Sequence, residues 1–281
     1  MNLTNPKSII ILGYPLEHTL SPKIHNFAFK YHNLDYVYTA YPIAPDKLSE
    51  MGKYFLHNLP ICGGNVTVPF KEIIFNYLDK FTEEASQVGA VNTFYQKDNQ
   101  LWGDNTDVYG FLQSVDIYKD YFENKKVLLL GTGGSAKAII TALNNLNVKE
   151  IAVVSRELEK SNTFVVNKNN LNPNINMVSL DYDSLINYDG LSDFSAIINC
   201  TPVGMYENIS PLPKTIIDRL NNDALVYDLI YNPSKSKLLS LSEARGLKII
   251  NGKMMLIYQA SKSFKIWTGY EFPIDQVTEI I

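Results

Sequence analysis

The stretch Lys126-Val-Leu-Leu-Leu-Gly-Thr-Gly-Gly-Ser-Ala136 decides the architecture of this chain. An apolar run leads into a glycine turn and then into helix-forming residues, which is the context that gives a G-x-G-x-x-A fingerprint its meaning. In that pattern the first glycine makes the turn, the second admits a pyrophosphate and the small last residue lets the helix pack closely. Gly131, Gly133, Gly134, Ser135 and Ala136 are therefore candidate cofactor-binding residues at a helix N-terminus. Glu150 to Ser155 reads as the second strand of the same unit. A site for NAD normally ends this strand with an acidic residue, whereas here it ends Ser155-Arg156, with Lys160 one helical turn further on. Two cations at a helix start suit a 2′-phosphate, so Ser155, Arg156 and Lys160 are candidate contacts to NADP. Glu157 adjoins Arg156 and opposes the phosphate if it points inward.

Further strands read at Asn176 to Leu180, Ala196 to Asn199, Ala224 to Leu229 and Gly246 to Ile250, with an Asn-rich loop expected over Asn167 to Asn176. The loops Asn199-Cys-Thr-Pro-Val-Gly-Met205 and Asp228-Leu-Ile-Tyr-Asn-Pro233 leave strands on the carboxyl side of the sheet, where the nicotinamide half of a dinucleotide rests. Thr201, Met205, Leu229 and Gly252 are further candidate cofactor residues.

Ahead of this unit lies a second α/β series. Ser8 to Gly13 reads as a buried strand, and a helix is expected from Ser21-Pro22, the serine capping and the proline at the first position. Tyr36 to Ile43 reads as a strand and Pro45 to His57 as a helix. Next comes Cys62-Gly-Gly-Asn-Val-Thr-Val-Pro-Phe-Lys71, read as a strand over Ile61 to Val68 and a helix opened by Pro69, with Ile73, Ile74, Tyr77 and Leu78 on its apolar face. A lysine in that first turn faces the unfavourable end of the helix dipole, so helix stability gives no reason for Lys71. Parallel-sheet logic puts Ser21 and Lys71 near one sheet edge, and Asn65 and Thr67, two apart on a strand, share a face. A short helical turn at Thr82 to Gln87, strands at Ala90 to Gln96 and Leu101 to Gly103, and a helix opened by Gly103-Asp-Asn-Thr-Asp107 follow. A helix over Lys253 to Trp267 is left to pack back on this first series. The expected fold is α/β: an N-terminal α/β substrate domain of residues 1–106 and 252–281, and a Rossmann dinucleotide-binding domain of residues 107–251.

At 281 residues, 46% hydrophobic and 19% charged, the composition is that of an ordinary globular protein. A formal net charge of -4 without a basic block speaks against nucleic acid or an acidic membrane as partner. Cys62 and Cys200 lack metal-ligand spacing and are expected to be buried thiols of a reducing cytosol. With no signal-like N-terminus and no apolar run near the roughly 18 residues of a membrane span, a cytoplasmic location is expected.

Taken together, the motifs resemble the shikimate/quinate dehydrogenase family from end to end. They occur in family order: Gly13-Tyr-Pro-Leu-Glu-His-Thr-Leu-Ser-Pro with His25-Asn26; Gly64-Asn-Val-Thr-Val-Pro-Phe-Lys71; Gly89-Ala-Val-Asn-Thr93 with Gly103-Asp-Asn-Thr-Asp107; Gly131-Thr-Gly-Gly-Ser-Ala136; and Met254-Met-Leu-Ile-Tyr-Gln-Ala260 with Trp267-Thr-Gly269. The resemblance implies an NADP-dependent oxidoreductase that interconverts 3-dehydroshikimate and shikimate, working as a monomer or a homodimer. It implies that Lys71 and Asp107 form the catalytic pair, the lysine exchanging a proton with the substrate 3-oxygen. It also implies that Thr19, Ser21, Asn65, Thr67, Asn92, Asp107, Tyr231 and Gln259 hold or line the site of a small polyhydroxy acid, which these hydroxyl and amide types suit. The sequence departs from the family pattern at Thr19, where serine is usual, at Ser155-Arg-Glu157, where Asn-Arg-Thr is usual, and at Met254, where glycine is common. A relative that oxidises quinate with NAD, and a non-catalytic regulatory binding protein of the same fold, are the alternatives.

Overall fold

A computed structural model describes residues 6–169 and 175–281. The chain divides into two compact units, Met1–Gly110 with Ile257–Ile281, and Phe111–Leu256. Both unit boundaries fall inside helices, a few residues beyond the boundaries expected at 106/107 and 251/252.

The first unit runs β1 (Lys7–Gly13), α1 (Ser21–Tyr31), β2 (Tyr36–Pro42), α2 (Pro45–Asn58), β3 (Ile61–Val66), β4 (Lys80–Phe81), α3 (Glu83–Val88), β5 (Thr93–Lys97), β6 (Gln100–Asp104) and the start of α4 (Asp107–Ser114). Its sheet has the order β2-β1-β3-β5-β6-β4, with β2, β1 and β3 parallel and β5 antiparallel to both β3 and β6. The β5–β6 hairpin turns through Asp98 and Asn99, both at positive φ (53° and 59°). These are the residue types that tolerate the left-handed region a two-residue hairpin turn requires. Ile10, Leu12, Val66, Phe70, Ile74 and Phe94 build its core.

Several local expectations need correction. No α-helix starts at Pro69: Phe70 N–H donates to the Thr67 carbonyl (2.9 Å), and only a 3₁₀ turn forms over Ile73–Tyr77. The Lys71 carbonyl, which a helix would bond internally, accepts from Val91 N–H instead (2.7 Å). β5 starts at Thr93, although Asn92 N–H still donates to the Asp104 carbonyl (3.1 Å) and the Asn92 carbonyl accepts from Val66 N–H (2.8 Å). Ser21 is the first residue of α1 rather than its cap; Leu20 holds the capping position, without a side-chain hydrogen bond. Cys62 and Cys200 are half-buried thiols outside any disulfide, not fully buried ones.

The second unit contains β7 (Lys126–Leu130), α5 (Gly134–Asn145), β8 (Glu150–Ser155), α6 (Leu158–Asn169), β9 (Asn176–Asp181), α7 (Tyr182–Ile186), β10 (Phe194–Asn199), α8 (Lys214–Ile217), β11 (Leu225–Asp228), α9 (Lys237–Ala244) and β12 (Lys248–Asn251). Its all-parallel sheet has the order β12-β11-β10-β7-β8-β9. That is the doubly wound order, with its switch point between β7 and β10, beyond whose carboxyl ends ligands bind in such sheets. The interior of β7 is buried on both faces, as a central parallel strand with helices on each side must be. Of the loop expected over Asn167 to Asn176, residues up to Asn169 close α6, and 170–174 lie outside the described residues.

Chain 257–281 belongs to the first unit through the rest of α10 (Lys253–Thr268) and α11 (Ile274–Ile280). Trp267 Nε1 donates to the Phe94 carbonyl (3.1 Å). His25, fully buried, stacks on Tyr38 (ring centroids 4.5 Å apart) with Trp267, Phe264 and Phe272 around it, and neither ring nitrogen has a hydrogen-bond partner. Burial alone pushes its pKa down from 6.5 to about 3. The folded state therefore holds His25 neutral where the unfolded chain binds a proton, so stability is lost as pH falls from 6.5 toward about 3. Urea midpoints measured from pH 7 to pH 4 are expected to fall, and to fall less steeply in His25→Phe; equal slopes would contradict this assignment.

Candidate active site

In the first unit the site grows from the carboxyl ends of neighbouring parallel strands. Thr67 N–H donates to the Leu12 carbonyl (2.8 Å) and Tyr14 N–H to the Val68 carbonyl (3.0 Å), which ties the segment after β3 to the loop after β1. Gly13 allows this approach: a Cβ there would collide with the Thr67 methyl. Fully buried Phe70 anchors the turn in the core, and the next residue, Lys71, is left at the surface of that core.

Lys71 Nζ donates to Asp107 Oδ2 at 2.6 Å, with side chains only 12% and 7% exposed. Asp107 starts α4, where a carboxylate meets the positive end of the helix dipole. Its own N–H donates to Asn105 Oδ1 (3.0 Å), and Asn105 Nδ2 in turn donates to the Ala90 carbonyl (2.8 Å). The second carboxylate oxygen accepts from Asn92 Nδ2 (2.8 Å). The orientation of that amide is fixed chemically. Thr106 N–H, which can only donate, points at Asn92 Oδ1 (2.7 Å) and so turns Nδ2 toward Asp107. Asn92 Nδ2 also reaches Gln259 Oε1 (3.3 Å) on α10.

Lys71, Asp107, Asn92 and Gln259 are thus brought into one hydrogen-bonded group. Thr19 and Ser21 lie together, Ser21 N–H donating to Thr19 Oγ1 (3.3 Å). Half-buried Thr67 sits on the turn that carries Lys71. Asn65, expected as a ring contact, is held by the protein itself. It is buried, and its amide is taken up by protein partners: Oδ1 accepts from Tyr38 Oη–H (2.7 Å), while Nδ2 faces the Asn92 carbonyl (3.1 Å), Thr93 Oγ1 (3.0 Å) and Ser263 Oγ (3.2 Å). Tyr231 belongs to the second unit, half-buried on the loop after β11.

In the second unit, Gly131 has φ +103°, a left-handed conformation open to glycine, and Gly131 N–H donates to the Val154 carbonyl (2.8 Å). Gly133 holds the capping position of α5 without any side-chain cap, and the space a Cβ would occupy there is open. Gly134 and Ser135 follow in the first turn, and Ala136 is fully buried beneath it. The uncapped N–H groups and open approach fit a pyrophosphate. Buried Ser155 donates to the Glu157 carbonyl (2.6 Å), and exposed Lys160 pairs with Glu157 Oε1 (2.7 Å), beside exposed Arg156. Lys160, then Arg156 at longer range, holds the Glu157 carboxyl below its ordinary pKa.

The loops after β10 and β11 are clamped by a group the sequence reading missed. Asp228, fully buried, accepts from Asn199 Nδ2 (2.9 Å), Ile230 N–H (3.1 Å) and Ser236 Oγ (2.5 Å). Burial raises its pKa, and those hydrogen bonds offset part of the rise. Asn199 Oδ1 accepts from both Thr201 N–H (3.0 Å) and Thr201 Oγ1 (2.7 Å). Half-buried Thr201, Met205 and Leu229 therefore sit on loops tied to one carboxylate. Gly252 packs on this frame: its N–H donates to the Ile230 carbonyl (3.1 Å), and a Cβ would run into the Leu229 carbonyl. The other missed residues are Tyr38, Thr93, Thr106 and Ser263. Thr93 and Thr106 stand in the sequence motifs beside Asn92 and Asp107, Ser263 lies four residues after Gln259 and so on the same helical face, and Tyr38 left no signal.

Asn199→Ala would strip a donor from a buried carboxylate. Urea unfolding is expected to show a loss of about 1–3 kcal/mol; an unchanged midpoint would contradict the clamp.

Models of known families match both units. The one described as the shikimate dehydrogenase substrate binding domain matches residues 11–94, and the one described as shikimate / quinate 5-dehydrogenase matches residues 115–202. A shikimate dehydrogenase (NADP(+)) of Caldanaerobacter subterraneus subsp. tengcongensis is 39% identical over 273 residues, covering 96% of this chain and 95% of the relative. Among solved structures, a shikimate dehydrogenase in complex with NADP+ superposes with a TM-score of 0.85 at 34% identity, over 98% of this chain and 94% of that one. Shikimate 5-dehydrogenase from Listeria monocytogenes, in complex with shikimate and NAD, has a TM-score of 0.85 at 31% identity, over 100% and 98% of the two chains.

Proposed function

The chain belongs to the shikimate dehydrogenase family, and we propose that it catalyses the NADP-dependent, reversible reduction of 3-dehydroshikimate to shikimate in aromatic amino-acid biosynthesis. The observation that carries this reading is the Lys71–Asp107 pair at 2.6 Å, held by Asn92 in a group rich in hydroxyls and amides. Bound NADP(H) supplies the hydride for reduction and accepts it in oxidation. As the ketone is reduced, negative charge gathers on its oxygen, and an ammonium that can both stabilise and protonate that oxygen lowers the barrier. In this assignment Lys71 holds that proton, and Asp107 fixes the ammonium while Asn92 fixes Asp107.

Thr19, Ser21, Thr67, Asn92 and Gln259 of the first unit are assigned to the carboxylate and hydroxyls of the substrate, which need donors and acceptors in set directions. Gly131, Gly133, Gly134, Ser135 and Ala136 are assigned to the pyrophosphate, Ser155, Arg156 and Lys160 to the 2′-phosphate side, and Thr201, Met205, Leu229 and Gly252 to the nicotinamide side. The domain assignment follows: the first unit holds substrate and the second holds cofactor. Among the described residues no helix is long and apolar enough to cross a membrane.

The Lys160–Glu157 ion pair favours a second reading in which NAD is also accepted, because the carboxylate competes with a 2′-phosphate for the cation. Initial rates of the purified protein with shikimate or quinate, each with NADP+ or NAD+, separate the readings. The shikimate–NADP+ pairing is expected to be fastest, and absence of turnover in every pairing would leave only a binding role. Lys71→Ala is expected to lower kcat about 10²–10⁴-fold with little change in the KM for shikimate. A large rise in KM at unchanged kcat would reduce Lys71 to a binding residue. Glu157→Gln is expected to raise the kcat/KM ratio of NADP+ over NAD+ about two- to fivefold, as removal of an exposed competing charge allows; an unchanged ratio would place the 2′-phosphate elsewhere.

A further inference from the structure

Below the proposed substrate groups lies a chain of buried polar side chains that neither proton transfer nor substrate contact uses. Tyr38, Asn65, Thr93 and Ser263 are 2%, 4%, 0% and 0% exposed. The direction of their hydrogen bonds is fixed at the Asn65 end. Asn65 Nδ2 faces the Asn92 backbone carbonyl (3.1 Å), which can only accept, so Oδ1 is the atom toward Tyr38 and the Tyr38 hydroxyl donates to it (2.7 Å). At the other end Ser263 Oγ donates to the backbone carbonyl of Gln259 (3.1 Å). Thr93 Oγ1 lies 2.6 Å from Ser263 Oγ, either hydroxyl being able to donate, and Thr93 Oγ1 accepts from Asn65 Nδ2 (3.0 Å). Thr106 Oγ1 stands beside the chain, within 3.1 Å of Ser263 Oγ and 3.5 Å of Gln259 Oε1.

We propose that Tyr38, Asn65, Thr93 and Ser263 form a positioning relay that sets the place of Gln259, through its backbone carbonyl and through Thr106 beside the relay, and the backbone of Asn92 for the substrate. The inference rests on the reading of Asn92 and Gln259 as substrate contacts, and it makes Asn65 a positioning residue instead of a ring contact. The amide hydrogens of Asn65 have more protein acceptors within reach than they can serve, so a substrate oxygen gains no donor from it without breaking the relay. The relay joins β2, β3 and β5 to α10, elements far apart in sequence, and fixes how Gln259 is presented. Loosening it is therefore expected to weaken substrate binding and to leave cofactor binding alone.

Tyr38→Phe removes one hydroxyl and keeps the ring that stacks on His25, and Ser263→Ala removes the other end. Each is expected to raise the KM for shikimate about tenfold, the size of one lost buried hydrogen bond, with the KM for NADP+ unchanged. The double variant is expected to be no worse than the more damaging single one, because a relay fails as a unit. In the ligand-free protein each variant is also expected to shift the side-chain amide resonance of Gln259. An unmoved Gln259 resonance with an unchanged KM in Tyr38→Phe overturns the relay, as does full additivity in the double variant. Should the wild-type protein turn over no shikimate at all, the functional reading fails, while the Gln259 resonance still decides the relay. Should Ser263→Ala not fold, Tyr38→Phe carries the test alone.

Discussion

An ammonium group that is only 12% exposed is tolerable where a counter-charge is fixed beside it, and Asp107 is that counter-charge for Lys71. Removing one partner of such a pair leaves an uncompensated charge and costs about 3–5 kcal/mol when both are buried. The rest of the first unit can be understood as keeping the pair in register. Phe70 pins the turn that carries Lys71, and the Val91 N–H holds the Lys71 carbonyl. The α4 terminus and Asn105 hold Asp107, and Asn92 occupies its second oxygen. Dissolving the helix expected at Pro69 is part of the same arrangement. A helical Lys71 would have bonded its carbonyl internally and would have faced the wrong end of a dipole.

The cofactor side depends on a different constraint, the burial of Asp228 at the carboxyl edge of a parallel sheet. Its register partner across β10–β11 is Asn199, so one hydrogen bond ties together the strand ends from which the two loops assigned to the nicotinamide depart. Glycine supplies the rest where side chains cannot fit, as the Gly252 approach to Leu229 illustrates. At the adenosine side the chemistry is less one-sided. Glu157 stands between Arg156 and Lys160, the cations assigned to a 2′-phosphate, and already takes up one donor of Lys160.

Much of this was legible from residue order. The glycine turn after β7, the alternation of strands and helices, and the return of the last helices to the first unit all follow from local pattern. The hairpin at Asp98–Asn99 was readable because its turn residues carry their own conformational preference. What escaped were properties set by long-range pairing. Asn65 could be placed on a strand face with Thr67, but its partners Tyr38, Thr93 and Ser263 come from three other elements, and nothing local shows that they consume its amide. The stacking of His25 among aromatic rings from α1, β2 and α10 escaped for the same reason.

In the proposed reaction the Lys71–Asp107 pair meets the reacting oxygen of the substrate. A crystal structure of the protein with shikimate tests it most directly. The ring's 3-oxygen is expected within hydrogen-bond distance of both Lys71 Nζ and the Asp107 carboxylate, with the substrate carboxylate at Thr19 and Ser21. Shikimate bound with that oxygen away from Lys71, or with the Lys71–Asp107 pair opened to make room for another part of the ring, would contradict it.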